Sequence, residues 1–263
     1  MTPRSAGGHG IRLAVWSGPR NVSTALMRSW GNRPDTTVID EPFYAYYLLA
    51  TGAAHPGREE VIAHHETDWR KVIAHLTGPI PDGKRIFYQK HMSHHMLPEI
   101  DRTWFRDVFH AFLIRDPREV LLSLHKKTPN PRLRDTGFPQ LAEIFEQVCE
   151  LTGEVPPIID ARDLLLDPRG VLEQLCARLG VPFLDCMLSW PPGLRPTDGV
   201  WAKYWYDAVE KTTGFQPYRP RTEPLPEHLK PLLEQCTVYY QLLYPHRIRA
   251  RQDSQTDEVQ AVH

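Results

Sequence analysis

Long apolar runs are missing from this chain. None approaches the roughly 18–20 consecutive apolar residues that a membrane-spanning helix needs, so no membrane partner is expected. The opening MTPRSAGGHG lacks an apolar core, which argues against a secretory leader. An excess of one charge is missing too. Lys and Arg number 31, Asp and Glu 32, for a formal net charge of −1. So balanced a surface offers no global attraction to nucleic acid, and any anion site must be local. Cysteines are few, and Cys149, Cys176, Cys186 and Cys236 show no metal-type spacing. They read as reduced core thiols, which points to the cytoplasm. A Walker A loop is absent as well. The nearest stretch, Gly78 to Arg85 (GPIPDGKR), has Arg85 where Ser or Thr would hold magnesium. It also precedes a strand instead of following one, and its two prolines mark a surface turn.

What the chain does have is alternation. Strands are expected at Ile11–Trp16, Thr37–Ile39, Arg85–Gln89, Val108–Ile114 and Pro157–Ile159. Helices are expected at Ser23–Gly31, in pieces over Glu59–Leu76, then at Met96–Phe105, Pro117–Lys127, Pro139–Thr152 and Pro168–Leu179. This pattern predicts an α/β fold of three layers, a parallel sheet of about five strands flanked by helices. Beyond Gly180 come helical segments near Val200–Lys211 and Glu227–Tyr244, which make a helical C-terminal third. Between them Pro217–Pro226 is rich in Pro and Arg and should run extended over the surface. Residues 1–250 form one domain in this reading, and 251–263 form a polar, disordered tail.

Ligands of parallel open sheets bind beyond the carboxyl ends of the strands. Those ends carry Ser17-Gly18-Pro19-Arg20, Asp40-Glu41-Pro42-Phe43, Lys90-His91 and Arg115-Asp116-Pro117-Arg118. The first belongs to IRLAVWSGPRNVSTALMRSW, which reads as strand, tight loop and helix. The opening amides of such a helix lack partners, and its dipole adds positive potential. Gly18 permits the turn, Pro19 stiffens it, Arg20 adds a planar donor fork, and Ser23 and Thr24 add hydroxyls. The second signal is FLIRDPREVLLSL. There Asp116 caps a helix opening at Pro117, and Arg115 and Ser123 can clamp a second anion.

The order SGPRNVST, RDPREVLLS and ARDLLLDPRGVLEQLCARLGVPF resembles the sulfotransferase family that uses 3′-phosphoadenosine 5′-phosphosulfate. TDGVWAKY, Thr197–Tyr204, loosely resembles the family's loop that closes over the nucleotide. The resemblance implies a P-loop NTPase-like fold and metal-independent, in-line sulfuryl transfer to a small-molecule hydroxyl. It implies that Gly18, Pro19, Arg20, Asn21, Val22, Ser23 and Thr24 surround the 5′-phosphosulfate, with Arg20 beside the transferred group. Arg115 and Ser123 would hold the 3′-phosphate. Val22 stands where the family's loop usually has Gly, and Ala161 where an aromatic residue is often found.

Such transfer needs a base for the acceptor's proton and positive charge on the departing oxygen. Two bases compete: Glu41 after the second strand, which is favoured, and His91, beside Lys90, after the third. The alternative for Asp40 or Glu41 is a helix cap, and for His91 a satisfied core histidine. His91 and His95 are four apart, as in a helical zinc pair, but no third ligand is apparent and no metal is expected. Trp201, Tyr204, Trp205 and Tyr206 either line an acceptor pocket or pack as core or lid. Loops over Phe43–Pro56 and the C-terminal third should shape that pocket. A P-loop kinase and a non-catalytic nucleotide-binding module are the competing functions.

Overall fold

The computed structural model describes residues 10–251, and its first strand shows how the layers arise. In β1 (Ile11–Ser17), Ile11, Leu13 and Val15 enter one core while Ala14 and Trp16 enter another. A parallel sheet covered on both faces requires such two-sided burial.

The elements follow in order as α1 (Ser23–Gly31), β2 (Thr36–Asp40), α2 (Tyr44–Thr51), α3 (Arg58–His64), α4 (Trp69–Thr77), β3 (Ile86–Met92) and β4 (Phe109–Ile114). Then come α5 (Pro117–Leu124), α6 (Phe138–Thr152), β5 (Ile158–Asp160), α7 (Ala161–Leu166), α8 (Pro168–Arg178), α9 (Ala202–Trp205), α10 (Lys230–Leu243) and β6 (Arg247–Ile248). Among the described residues the sheet has six strands in the order β2-β3-β1-β4-β5-β6, every neighbour parallel. On one face α1, α7 and α8 bury Leu26, Trp30, Leu164 and Leu172. On the other, α4 and α6 bury Leu76, Leu141 and Ile144, with Trp104 and Phe105. The expected three-layer α/β fold is what forms. The chain works leftward from β1 and then rightward, so the end of β1 lies where the order reverses.

Four local expectations need correction. The sheet gains β6, a two-residue edge strand too short to leave a periodic signal. Met96–Phe105 is not an α-helix. Two 3₁₀ turns, Ser93–His95 and Thr103–Asp107, flank it, and Pro98 denies the stretch a backbone donor. Phe43–Pro56 is not all loop, because Tyr44, Ala45 and Leu48 bury one side of α2. Within Val200–Lys211 only the four residues of α9 are α-helical. The GPIPDGKR stretch is a turn before β3, with a 3₁₀ segment at Pro81–Gly83. No helix among the described residues is long and apolar enough to cross a membrane. Cys149, Cys176, Cys186 and Cys236 are free thiols, the second and fourth buried. Of the expected tail, all but Arg251 lies outside the described residues.

Candidate active site at the strand ends

The loop after β1 is tight by construction. A Cβ on Gly18 would lie 2.8 Å from the Thr136 carbonyl oxygen, so a larger residue would push the two backbones apart. Arg20 adopts a left-handed φ of +60°, uncommon outside glycine. Asn21 spends its side chain on the loop itself. Its Nδ2 donates to the Leu113 carbonyl at 3.0 Å, and its Oδ1 accepts from the Val22 amide at 2.9 Å. Asn21 thus shapes the loop, where the resemblance implied a side chain around the phosphosulfate. Among the described residues no side chain caps α1, whereas aspartates cap α4, α5, α7 and α8. The first-turn amides of α1 therefore have no side-chain acceptor. Asp116 does cap α5 through the Glu119 amide, with Pro117 in the first turn, as its sequence foretold.

The two expected anion clamps are one structure. Arg20 Nε donates to Ser123 Oγ at 2.9 Å, and Arg115 donates to the Arg20 carbonyl at 2.9 Å. Arg20 is thereby turned toward Ser123, and not toward the end of β2. Arg115 also pairs with Glu119 at 2.9 Å, and Tyr218 donates to Glu119 at 2.7 Å. Burial lowers the Arg20 pKa, and the nearby charges of Arg115 and Arg221 lower it further. Three guanidinium groups thus crowd one place, which an anion would relieve.

Arg221 was not singled out in the sequence. The sequence resemblance gave the closing role to Thr197–Tyr204. In the structure Asp198 of that segment forms a buried pair with Arg28 of α1 at 2.6 Å, while Trp201 packs with α2 and α3. The segment beside the clamp is the Pro/Arg-rich stretch. Arg118 donates to the Arg221 carbonyl at 2.5 Å and also to that of Glu223.

A different arrangement occupies the ends of β2 and β3. Lys90 Nζ lies 2.8 Å from Asp40 Oδ1, 2.6 Å from Glu41 Oε1 and 2.9 Å from the Tyr206 hydroxyl. Tyr206 in turn donates to Asp40 Oδ2 at 2.5 Å. The Lys90 and Asp40 side chains are 2% and 1% exposed, that of Glu41 12%, so only Glu41 opens toward the crevice. Glu41 has a left-handed φ of +41°. Backbone strain of this kind at a strand end marks functional positions. The helix-cap alternative for Glu41 lapses, since α2 has Phe43 at its N-cap and no side-chain cap. Burial raises the Glu41 pKa; Lys90 opposes the rise and Asp40 adds to it. Burial would lower Lys90, but Asp40, Glu41 and Tyr206 hold it well above its ordinary value.

His91 points elsewhere. Neighbouring residues of a strand face opposite sides, so Lys90 and His91 cannot share a site. The His91 ring is 1% exposed and stacks on Trp16 at 4.3 Å, with Phe43 and Trp104 close by. Burial, His110 and Lys90 hold its pKa well below the usual value. The core-histidine alternative fits this geometry, and the base role does not. Nor do His91 and His95 share a helix, since one lies in β3 and the other in the 3₁₀ turn after it. The sequence passed over His95 as anything but a zinc partner, yet its Nδ1 lies 3.9 Å from Glu41 Oε2. Trp201 and Tyr206 are buried with α2 and α3, which supports the packing alternative for both, while Tyr206 also serves the Lys90 cluster.

Known proteins share this architecture. A sulfotransferase domain from the Synechococcus PCC 7002 olefin synthase superposes with a TM-score of 0.53 at 17% identity, covering 90% of this chain and 98% of that one. A sulfotransferase from Alicyclobacillus acidocaldarius does so at 0.50 and 12% identity, covering 90% and 97%. At such identities the likeness concerns the fold. Two Arabidopsis thaliana proteins, named branched-chain-amino-acid aminotransferase-like proteins 2 and 1, are 38% and 39% identical over 237 and 233 residues. These matches cover 89% and 88% of this chain but 41% of each relative, so the chain spans about two-fifths of their length. The family profile described as sulfotransferase domain matches residues 11–246, a span that holds both halves of the rim. The chain therefore belongs to the sulfotransferase domain family.

Proposed function

We propose that this enzyme moves the sulfuryl group of 3′-phosphoadenosine 5′-phosphosulfate onto a small-molecule hydroxyl, with Glu41 taking the hydroxyl's proton. The observation that carries this reading is a carboxylate held by a buried lysine, two strands away from a knot of cations. Glu41 ends β2 and the cationic loop ends β1, with β3 between them. Two strand spacings amount to about 10 Å, room for a sulfuryl group between the two.

The residues present fit the donor. First-turn amides of α1 without a side-chain cap suit the 5′-phosphate. Arg20, Arg115 and Ser123, with Arg221 nearby, suit the 3′-phosphate. The acceptor oxygen attacks sulfur from the Glu41 side as its proton passes to the carboxylate. The bond from sulfur to the bridging phosphate oxygen breaks, and that oxygen keeps the electron pair. Adenosine 3′,5′-bisphosphate and a sulfate ester result. Lys90 acts here by holding Glu41, since Asp40, Glu41 and Tyr206 already surround its ammonium group. Four free thiols suit a reducing compartment such as the cytoplasm.

Calorimetry tests the donor assignment. Adenosine 3′,5′-bisphosphate should bind at least about tenfold more tightly than AMP, the worth of one charge-assisted contact. Arg115→Ala should erase that preference and leave AMP binding nearly unchanged. Equal affinities in the wild-type enzyme would overturn the assignment.

A further inference from the structure

One buried imidazole beside Glu41 takes no part in the chemistry above. His95 ends the 3₁₀ turn after β3 and is 2% exposed. Its ring stacks on Tyr44 at 4.7 Å with planes 6° apart, and on Tyr47 at 4.8 Å. The turn is pinned where Ser93 Oγ donates to the Gly137 carbonyl at 2.8 Å. The ring is thus firmly oriented, yet its Nδ1 has no hydrogen-bond partner among the described residues. A buried polar atom without a partner needs a reason. Glu41 Oε2, at 3.9 Å, is too far for a direct bond. Burial first, then His94, His55, Lys90 and His91, holds His95 well below its ordinary pKa, so the ring is neutral and one nitrogen keeps its hydrogen.

Glu41 offers the matching half. Its Oε1 is taken by Lys90 at 2.6 Å, which leaves Oε2 for another partner. Two atoms 3.9 Å apart can both bond one oxygen at about 2.8 Å from each. We propose that His95 is a second catalytic residue of this site, its Nδ1–H donating to the acceptor's hydroxyl oxygen while that hydroxyl donates to Glu41 Oε2. The inference rests on the sulfotransferase reading with Glu41 as base. Two directions around the oxygen are then fixed, and a remaining lone pair is free to attack sulfur. The pair also sets the acceptor class. The acceptor atom must receive one hydrogen bond and give another, as an alcohol or phenol does. An ammonium group has no lone pair to receive one and is refused.

Two substitutions separate the donor from the ring. His95→Phe keeps an aromatic ring for Tyr44 and Tyr47 but removes the N–H. His95→Asn removes the ring but returns an N–H near the position of Nδ1. The full chain is assayed with 3′-phosphoadenosine 5′-phosphosulfate and a panel of simple alcohols and phenols, and each variant's affinity for the bisphosphate is measured alongside. Phe should lower kcat/KM at least about tenfold, Asn should recover most of it, and bisphosphate affinity should hold in both. Phe as active as wild type, or Asn weaker than Phe, overturns the inference, because the ring's packing would then be what matters. A wild-type enzyme that binds the bisphosphate but transfers to no hydroxyl overturns the parent reading and this one with it. Nitrogen-15 spectra of histidine-labelled wild type need no folded variant. They should show His95 neutral with hydrogen on Nδ1, and hydrogen on Nε2 alone overturns the inference.

Discussion

The two halves of the rim carry charge in opposite ways. At the ends of β1 and β4, Arg20, Arg115 and Arg221 crowd together; Arg115 pairs with Glu119 and Arg221 with Glu223, which leaves three guanidinium groups to two carboxylates. At the ends of β2 and β3, Lys90 is enclosed by Asp40, Glu41 and Tyr206. The first half is unbalanced and suits an anion arriving from solution. In the second, one ammonium is already shared by two carboxylates before any ligand comes, so it suits the holding of one carboxylate in place. Binding and proton transfer should therefore fail separately.

The sharpest way to break that separation is Glu41→Gln, which keeps the shape and removes the basicity. Turnover should fall by about 10²–10⁴, the usual size of general-base catalysis. The bisphosphate dissociation constant should barely move. A large change in that constant by calorimetry would mean the two halves are one.

Lys90→Met sharpens the comparison through pH. Burial raises Glu41, and the positive charge of Lys90 opposes the rise. Without that charge the Glu41 pKa climbs further. A base works deprotonated, so the acid limb of kcat against pH should move to higher pH, by about one unit or more. Stability should also drop by about 3–5 kcal/mol, since removing one partner strands a buried charge. Urea unfolding at neutral pH reads the second effect, and an unmoved acid limb would separate Lys90 from Glu41.

The smallest expected effect is that of Tyr206→Phe. It removes the hydroxyl bonded to Asp40 and Lys90 while keeping the ring. Stability should fall by about 1–3 kcal/mol, and turnover by less than about tenfold, because Lys90 still holds Glu41. A loss as deep as that of Glu41→Gln would make Tyr206 part of the chemistry.

The β1 loop and α5 were legible in the sequence because each is local. Loop, helix start and capped α5 each fit within a short window, and Asp116 with Pro117 announces its helix. The direction of Arg20 was not legible, since the left-handed backbone at +60° turns it toward Ser123. Strand ends singled out Glu41 and Lys90, and the structure pairs the two side chains. The pairing of Lys90 with His91 ignored the alternation of strand side chains, a rule the sequence itself supplies. His95 was hidden because a 3₁₀ turn, not a helix, carries it back beside Glu41. Tyr206 was hidden by distance along the chain.

That distance has a consequence for how the enzyme comes to be. Tyr206 meets Asp40 across 166 residues of sequence, and Asp198 meets Arg28 across 170. Closures of this length tend to form late, after nearer contacts have reduced their entropic cost. While the chain is being made, Asp40, Glu41 and Lys90 exist long before Tyr206 leaves the ribosome. On that order, their ammonium and carboxylates should stay hydrated until the segment carrying Tyr206 docks. If Glu41 is the base, its setting is completed only when Tyr206 docks, and a chain cut before Trp201 would lack the hydroxyl that bonds Asp40 and Lys90.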